Sequence, residues 1–376
     1  MKLKVLRNVL ESALSRCYYA SEKRSSDSIV KFSFDNNTLN LHSRGALVSY
    51  CESCPILEID EECDHFYLYT STVLEFIKHA STDEIIIAKK DDKTCIFSTT
   101  DKKQKIALQT VETTDSPENE TKYISSLSGD FLDIINRMHN ASKFCSQDFQ
   151  QHPLNAIHIN FESDKLTIQS ANGPMFYKHE CNIELKTFNM PSYEMYIPRK
   201  TPSIIRNIFS DLTINSIKFS DKTIFFEAEN ASLILYIESN EQNIFPNKVL
   251  AWLTKEKTAR IKISHFEIAK TVRFFNGIFD NPVISFNIAN DELAIESTQD
   301  KESSAKDTGI AAKEYVAVEE CEGTAKSSYN SRYILDCLEA ISAPWLNIDF
   351  IVMQNSYCIA RITHGGTLIL LCPTTS

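Results

Sequence analysis

One pattern of apolar and polar residues occurs three times along the chain at an even spacing. Each copy reads as a strand, a polar turn and an alternating strand, over Phe34–Ser43, Phe161–Ser170 and Ile288–Ser297. The aligned leucines are 127 residues apart in both intervals, at Leu39, Leu166 and Leu293. Such alternation is typical of a β-hairpin, and the period exceeds the roughly 20–50 residues of a solenoid repeat. The sequence therefore predicts three domains of one type.

Two amphipathic helices are predicted in each repeat, one on either side of the hairpin. The first helices are predicted at Leu6–Ala20, Ser128–Lys143 and Ser264–Phe279, and the second at Ser71–Ala80, Thr201–Phe209 and Ser331–Ile341. The remaining segments are strand-like, so each repeat is an α+β module of two helices and about eight strands. We predict domains at 1–121, 122–247 and 248–376, with polar linkers at 110–122 and 238–247. The charged segment from Thr298 to Lys313 is predicted to be a long loop.

Composition restricts the function classes. The chain has 376 residues with 43% hydrophobic content, and it has no apolar run of the roughly 18–20 residues that a membrane span needs. The charged N-terminal segment lacks the apolar stretch of a secretory signal. We therefore expect a cytoplasmic protein without a membrane partner, whose eleven cysteines are reduced thiols.

Glycine is scarce, at eight of 376 residues, against a typical share of about 7%. Phosphate-cradling loops need glycine so that backbone N–H groups can approach a ligand closely. The sequence contains no G-x-G-x-x-G, Walker-type or G-x-S-x-G motif. We expect no catalytic residues, no cofactor and no enzymatic activity.

Charge is distributed unevenly between helices and strands. The net charge is −11 and the pI about 5.4, yet the six helical segments together carry +5 and the rest of the chain −16. Arg7, Arg16, Lys23 and Arg24 contribute to this excess in the first helical segment. In two other helices the basic residues share one face, namely Arg199 with Arg206 and Lys270 with Arg273. These are either ordinary solvated faces or a basic lining for a polyanion inside an acidic shell.

Six short motifs, in order along the whole chain, resemble the bacterial DNA polymerase III β sliding clamp. They are Glu22–Ser25, Leu154–Ile157, Ile197–Lys200, Phe245–Asn247 with Leu253–Lys255, Tyr329–Asp336 and Leu370–Pro373. The resemblance implies a DNA clamp fold and a head-to-tail homodimer that closes a six-module ring around double-stranded DNA without reading its sequence. It also implies a non-catalytic processivity factor of DNA replication, associated with the nucleoid.

The resemblance also assigns site residues. The residues at DNA-contact positions, together with the basic residues of the predicted helices, are Arg24, His152, Arg199, Lys200, Arg206, Lys270 and Arg273. An apolar cleft between domains 2 and 3 would capture a short peptide from the polymerase, the clamp loader and other partners. Its residues would be Leu154, Ala171, Gly173, Pro174, Met175, Phe176, Pro246, Leu250, Leu370, Leu371 and Pro373. Many of these could instead be inter-domain core, and segments 171–176 and 372–376 depart from the family pattern. Phe274 and Phe275 are candidates for the dimer interface, although one of them could equally be a core residue.

Two alternatives remain open. Cys51, Cys54, Cys63 and His65 have the ligand types of a zinc site, so the protein could be a zinc-dependent metalloprotein or enzyme. Their C-x-x-C half has a usual spacing and the Cys-x-His half does not. The protein could also have the clamp fold without encircling DNA.

Overall fold

The computed structural model describes most of the chain. The described residues are 2–21, 28–35, 37–60, 65–113, 123, 125–128, 131–148, 150–151, 153–162, 164–185, 192–220, 222–237, 247–280, 282–289, 292–298, 312–353 and 357–374. They form two compact units. The first comprises Met1–Ile135, Glu184–Pro191 and Lys200–Ser239, and the second Asn136–Ile183, Ser192–Arg199 and Asn240–Ser376.

Six α-helices lie within the described residues, two in each predicted domain. They are α1 (Arg7–Ala20), α2 (Thr70–Lys78), α3 (Phe131–Ser142), α4 (Thr201–Ile208), α5 (His265–Ile278) and α6 (Ser331–Glu339). A 3₁₀ helix covers Asn247–Trp252. The side chains of Ser264 and Asn330 cap α5 and α6 by accepting from Glu267 N and Arg332 N. All six predicted helices are confirmed, with ends within a few residues of the predicted ones.

Strands make up most of the remaining described structure. In chain order they are β1 (Lys2–Leu6), β2 (Ile29–Asp35), β3 (Thr38–Arg44), β4 (Val48–Ile59), β5 (Phe66–Tyr69), β6 (Glu84–Asp91), β7 (Thr94–Thr99), β8 (Lys105–Gln109), β9 (Ser125–Ser128), β10 (Ala156–Glu162), β11 (Lys165–Ala171), β12 (Met175–Asn182), β13 (Glu184–Leu185), β14 (Ser192–Pro198), β15 (Ile214–Phe219), β16 (Thr223–Ala228), β17 (Ala231–Tyr236), β18 (Ala259–Ser264), β19 (Val283–Ala289), β20 (Glu292–Thr298), β21 (Ala312–Gly323), β22 (Ala325–Asn330), β23 (Trp345–Val352), β24 (Cys358–His364) and β25 (Thr367–Leu371). The predicted α+β class is confirmed.

Each unit contains one extended antiparallel sheet. In the first unit the strand order is β13-β9-β15-β16-β17-β4-β1-β6-β7-β8, and β2, β3 and β5 branch from β4. In the second unit it is β14-β10-β11-β12-β25-β24-β23-β18-β21-β20-β19-β22. Strands of the predicted central domain thus continue both sheets, and the three-domain division stays a prediction.

The three predicted hairpins are β2–β3, β10–β11 and β19–β20. Their repeated leucines Leu39, Leu166 and Leu293 are fully buried and lie opposite Phe34, Phe161 and Ile288. The next strand of each repeat pairs with the hairpin in the same register, with Cys54, Cys181 and Val316 opposite the three leucines. The sequence repeat is therefore also a repeat of strand pairing.

Two junctions of one type join the repeats inside the sheets. In the first unit β17 pairs with β4, with Leu233 opposite Tyr50. In the second unit β25 pairs with β12, with Ile369 opposite Tyr177. Tyr50 and Tyr177 are both fully buried, and each lies four residues before the partner of a repeated leucine.

The loop predicted from Thr298 to Lys313 is shorter at both ends. Lys313 lies in β21 opposite Glu296 of β20, and its ammonium is 2.8 Å from a carboxylate oxygen of Glu296. This cross-strand ion pair explains how a charged segment extends a hairpin. Residues 299–311 lie outside the described residues. No helix in the described part of the chain is long and apolar enough to cross a membrane.

Candidate binding surfaces

An apolar cluster lies on one face of the second sheet. Ala171, Phe176, Ile359 and Leu370 are buried at its centre, and half-buried side chains of Leu154, Val249, Trp252, Leu253, Met353, Leu368 and Cys372 pack around them. All of these residues belong to the second unit. The structure therefore brings together Leu154, Ala171, Phe176 and Leu370, which were predicted to line the peptide cleft.

Strand alternation separates two other predicted cleft residues from this cluster. Phe176 lies opposite Leu370, and Met175 lies opposite Leu371. Successive side chains of a strand point to opposite faces, so Met175 and Leu371 belong to the face opposite the cluster. We correct their assignment: they are core residues behind the cluster.

The turn between β11 and β12 borders the cluster. Gly173 has a φ of +93°, a left-handed conformation that favours glycine, and the Asn172 side chain accepts a hydrogen bond from Met175 N at 3.0 Å. Cys372 N donates to the carbonyl of Pro174 at 2.7 Å. Gly173, Pro174 and Pro373 therefore lie close together, where β11 and β25 end and β12 begins. Pro246 lies outside the described residues, and only the backbone of Leu250, within the 3₁₀ helix, is described.

Sequence reasoning missed several cluster residues, chiefly Trp252, Ile359 and Leu368. Alternation along β25 could have identified Leu368, since it is two residues from Leu370 and shares its face. Ile359 required the pairing of β24 with β25, which brings together residues that the chain separates by a hairpin. Trp252 lies at the end of the 3₁₀ helix, where no strand periodicity applies.

A network of polar side chains lies next to the cluster on the same face of the sheet. Arg361 lies opposite Leu370, Asp349 opposite Arg361, and Arg260 opposite Asp349. The Arg361 guanidinium donates to Asp349 at 2.8 Å and to the carbonyl of Leu253 at 2.8 Å. Burial raises the pKa of Asp349, but hydrogen bonds from both arginines outweigh this effect and lower it below its ordinary value.

The basic residues predicted to contact DNA lie on helices or at their starts. Arg206 on α4 and Lys270 and Arg273 on α5 are exposed, as is Lys200 at the start of α4. Arg199 is half-buried, and it donates to the carbonyl of Ser146 at 3.3 Å. Arg24 and His152 lie outside the described residues. The exposed members can meet an anionic surface without breaking a core contact.

Arg16 was counted in the basic excess of the helices, but it does not contribute to a basic surface. Its guanidinium is buried and donates to Glu52 of β4 at 2.9 and 2.6 Å. It also contacts Asp211, after α4, at 2.9 Å, and Tyr50 donates its hydroxyl to Glu52 at 2.7 Å. Because these acids neutralise it inside the first unit, Arg16 is a structural residue.

The two candidate phenylalanines of α5 have different environments. Phe275 is fully buried, whereas Phe274 is 54% exposed. Ile278, one turn further along the helix, is 50% exposed and lies on the same side as Phe274. The exposed apolar patch of α5 therefore consists of Phe274 and Ile278, and Phe275 belongs to the core.

The C-x-x-C half of the candidate zinc site does not converge. Cys51 and Cys54 are three residues apart on β4, with His42 and Leu39 opposite them, so their side chains point to opposite faces. Cys54 is buried, and burial raises the pKa of its thiol to about 12. Within the residues that the structure describes, no group of three or more His, Cys, Asp or Glu side chains could hold a metal ion. Cys63 lies outside those residues. The zinc hypothesis fails on the geometry of the C-x-x-C pair.

Comparison with known proteins identifies the architecture. No protein-family model matches the sequence, and no curated protein matches it. Solved structures match over the whole chain. The DNA polymerase III subunit beta from Pseudomonas aeruginosa is 15% identical, with a TM-score of 0.84 and 100% of both chains covered. The DNA polymerase III beta subunit from Thermotoga maritima is 13% identical, with a TM-score of 0.83 and coverage of 100% of this chain and 99% of that chain.

A third similar structure contains a bound peptide. The Helicobacter pylori beta clamp bound to a DNA ligase peptide is 15% identical, with a TM-score of 0.79 and 100% of both chains covered. At this level of identity the likeness concerns the course of the backbone. It confirms, at the level of fold, the resemblance found in the sequence. Over its whole length, the chain therefore has the fold of the bacterial DNA polymerase III beta subunits.

Proposed function

We propose that this protein is a DNA sliding clamp, in which two copies join head to tail and close a ring of six modules around duplex DNA. The observation that carries the proposal is the repeated junction of the sheets. β17 continues onto β4 and β25 continues onto β12. In the first repeat, β8 corresponds to β17 and β25. In the third repeat, the first half of β21 corresponds to β4 and β12. Among the described strands, β8 ends its sheet, and Ala312–Ala317 of β21 pair with β20 alone.

A second copy of the chain supplies the missing partner for each of these edges. An unpaired strand edge is a template for pairing with another chain, and a head-to-tail arrangement closes when the rotation between copies allows it. The repeat fixes the register. Ala312 corresponds to Tyr50 and Tyr177, because it lies four residues before Val316. Ile106, which pairs with Phe97, corresponds to Leu233 and Ile369. We expect Ile106 of one copy to lie opposite Ala312 of the other.

Cysteine cross-linking tests this register. The double variant I106C/A312C should form covalent dimers under mild oxidation, whereas each single variant should not. The matched control is A107C/A312C, which shifts one residue along β8 and points the new thiol to the other face. Equal cross-linking of both double variants would refute the proposed junction.

The exposed cations of α4 and α5 support a DNA-facing role for the helices. Contacts from Arg206, Lys270 and Arg273 to phosphates carry no base information, so a closed ring can slide along the duplex. Loading onto a nicked circular plasmid, followed by linearisation, tests this directly. A sliding ring leaves through the free ends, and retention on linear DNA would overturn the proposal.

The apolar cluster around Phe176 and Leu370 is proposed to bind short peptides of a replicative polymerase, a clamp loader and other replication proteins. The structural neighbour from Helicobacter pylori with a DNA ligase peptide supports this assignment. In this role the protein has no catalytic activity of its own and is found with the nucleoid in the cytoplasm. The variant L154A, which shortens a half-buried side chain beside the cluster, should weaken peptide binding in a fluorescence anisotropy titration while its oligomeric state stays unchanged.

A further inference from the structure

A polar groove adjoins the apolar cluster on the same sheet face. It has a volume of about 660 Å³, and its lining includes Lys255, Arg260, Asp349 and Arg361. Leu253 and Leu368 line this groove and also pack against the apolar cluster. The two surfaces are therefore continuous, and an extended peptide can occupy both.

The strand register gives the distance between the two surfaces. Leu370, Arg361, Asp349 and Arg260 form one row across β25, β24, β23 and β18. Three strand spacings of about 4.8 Å place the Arg260 backbone about 14 Å from that of Leu370. An extended peptide covers this distance in about four residues.

Charge in the groove favours an acidic occupant. Four lysine and arginine side chains and two carboxylates line it. One of the carboxylates, Asp349, is 3% exposed and is hydrogen-bonded by both arginines. Glu256 is the other lining acid, and Glu322, which lies opposite Arg260 on β21, forms a close ion pair with Lys257. A positive excess remains on the groove wall, in a protein whose net charge is −11.

The lining cations have different roles. Arg361 is 13% exposed, and its donors go to Asp349 and to the carbonyls of Leu253 and Lys255, so it positions the loop beside the cluster. Arg260 is 42% exposed. Its hydrogen bonds to Asp349 use Nε and Nη2, and a guanidinium has five N–H donors.

Lys255 is the second cation available to a ligand. Its ammonium lies 4.2 Å from the centre of the Trp252 ring and donates to the carbonyl of Val352 at 3.3 Å. An ammonium has three donors, so a carboxylate can bind without displacing this contact. Trp252 also packs against the apolar cluster, so Lys255 links the two surfaces.

We propose that this groove is a carboxylate subsite, in which Arg260 and Lys255 bind an acidic side chain of the peptide whose apolar residues occupy the cluster. The proposal rests on the peptide-binding function proposed above. In addition to the apolar residues that bind the cluster, the peptide would then be recognised by an acidic residue about four positions away from them. Partners with aspartate or glutamate at this spacing are then selected over partners with asparagine or glutamine.

Four labelled peptides test the subsite by fluorescence anisotropy with the full chain. Each has a core of three leucine or phenylalanine residues. An aspartate pair is placed about four residues before the core in one peptide and after it in another, and matched peptides carry asparagine. At low ionic strength the favoured acidic peptide should bind about fivefold tighter than its match, and salt should reduce this difference.

Variants identify the residues responsible. In K255Q/R260Q the acidic preference should fall to within about twofold, because affinity for the acidic peptides falls by more than affinity for the asparagine peptides. The matched control is K262Q, which removes a cation from β18 outside the groove lining and should keep the preference. Equal binding of acidic and neutral peptides to the wild type, or a preference that persists in K255Q/R260Q, would overturn the subsite alone. If no peptide binds the wild type, the peptide-binding function and the subsite fail together.

Discussion

Replacing Arg16 by methionine should destabilise the first unit strongly. Arg16 is 7% and Glu52 1% exposed, and their ion pair connects α1 to β4. The substitution keeps most of the side-chain volume but leaves the Glu52 carboxylate buried with only the Tyr50 hydroxyl as a described donor. Breaking one partner of a buried ion pair costs about 3–5 kcal/mol, and we expect a loss of this size in the free energy of unfolding.

Two further variants separate the contributions. D211N removes an acid that is 61% exposed, and such a contact contributes about 0–1 kcal/mol. In R16M/E52L no buried charge is left without a partner, so the double variant should be more stable than R16M alone. Urea unfolding followed by circular dichroism measures these differences, and hydrogen exchange in α1 and β4 locates them.

A small effect would refute this account. If R16M lost less than about 1 kcal/mol, the ion pair would not be a buried structural contact. A simultaneous weakening of DNA retention would return Arg16 to the basic surface predicted from charge counting. Unchanged retention together with a large stability loss is the result that the structure predicts.

Three other predictions concern the neighbouring pair Phe274 and Phe275, the buried His158, and the pair Cys51 and Cys54. F275A should cost about 3–5 kcal/mol of unfolding free energy because it empties a core position, whereas F274A should weaken self-association in sedimentation and leave stability within about 0.5 kcal/mol. Burial lowers the pKa of His158 below 6.5 despite the opposing charge of Glu194. Folding stability should therefore be lost as pH falls below 6.5. Urea titrations across pH should show a less steep loss in H158Q than in the wild type. Alkylation followed by mass spectrometry should label Cys51 before Cys54, whose buried thiol has a raised pKa; equal rates would contradict the burial of Cys54.

The sequence was most informative where periodicity is local. α1 and α6 were predicted with ends within two residues, because their apolar residues recur at helical spacing and tertiary contacts reinforce that pattern. The β19–β20 hairpin followed from the strand, polar turn and alternating strand of Ile288–Ser297. The burial of such leucines is determined by strand alternation, which needs no knowledge of distant segments.

Predictions failed where a partner is distant in sequence. Arg16 was counted in the basic excess of the helices because Glu52, which neutralises it, is 36 positions away and no local pattern connects them. Met175 and Leu371 were assigned to the cleft because a motif carried over as a continuous stretch ignores which strand face each residue occupies. The groove around Arg260 and Arg361 could not be predicted, since three strand pairings are needed to align its residues.

The shared sheets have a consequence for dissecting the protein into fragments. A cut at residue 121 would remove β17 from β4 and expose the backbone donors and acceptors of Val48–Glu52. A cut at residue 247 would expose β25 in the same way by removing β12. Because bare strand edges recruit other chains, such fragments should aggregate, and the sequence repeat is therefore the wrong unit for truncation. Point variants in the intact chain are the suitable tool for assigning function to each repeat.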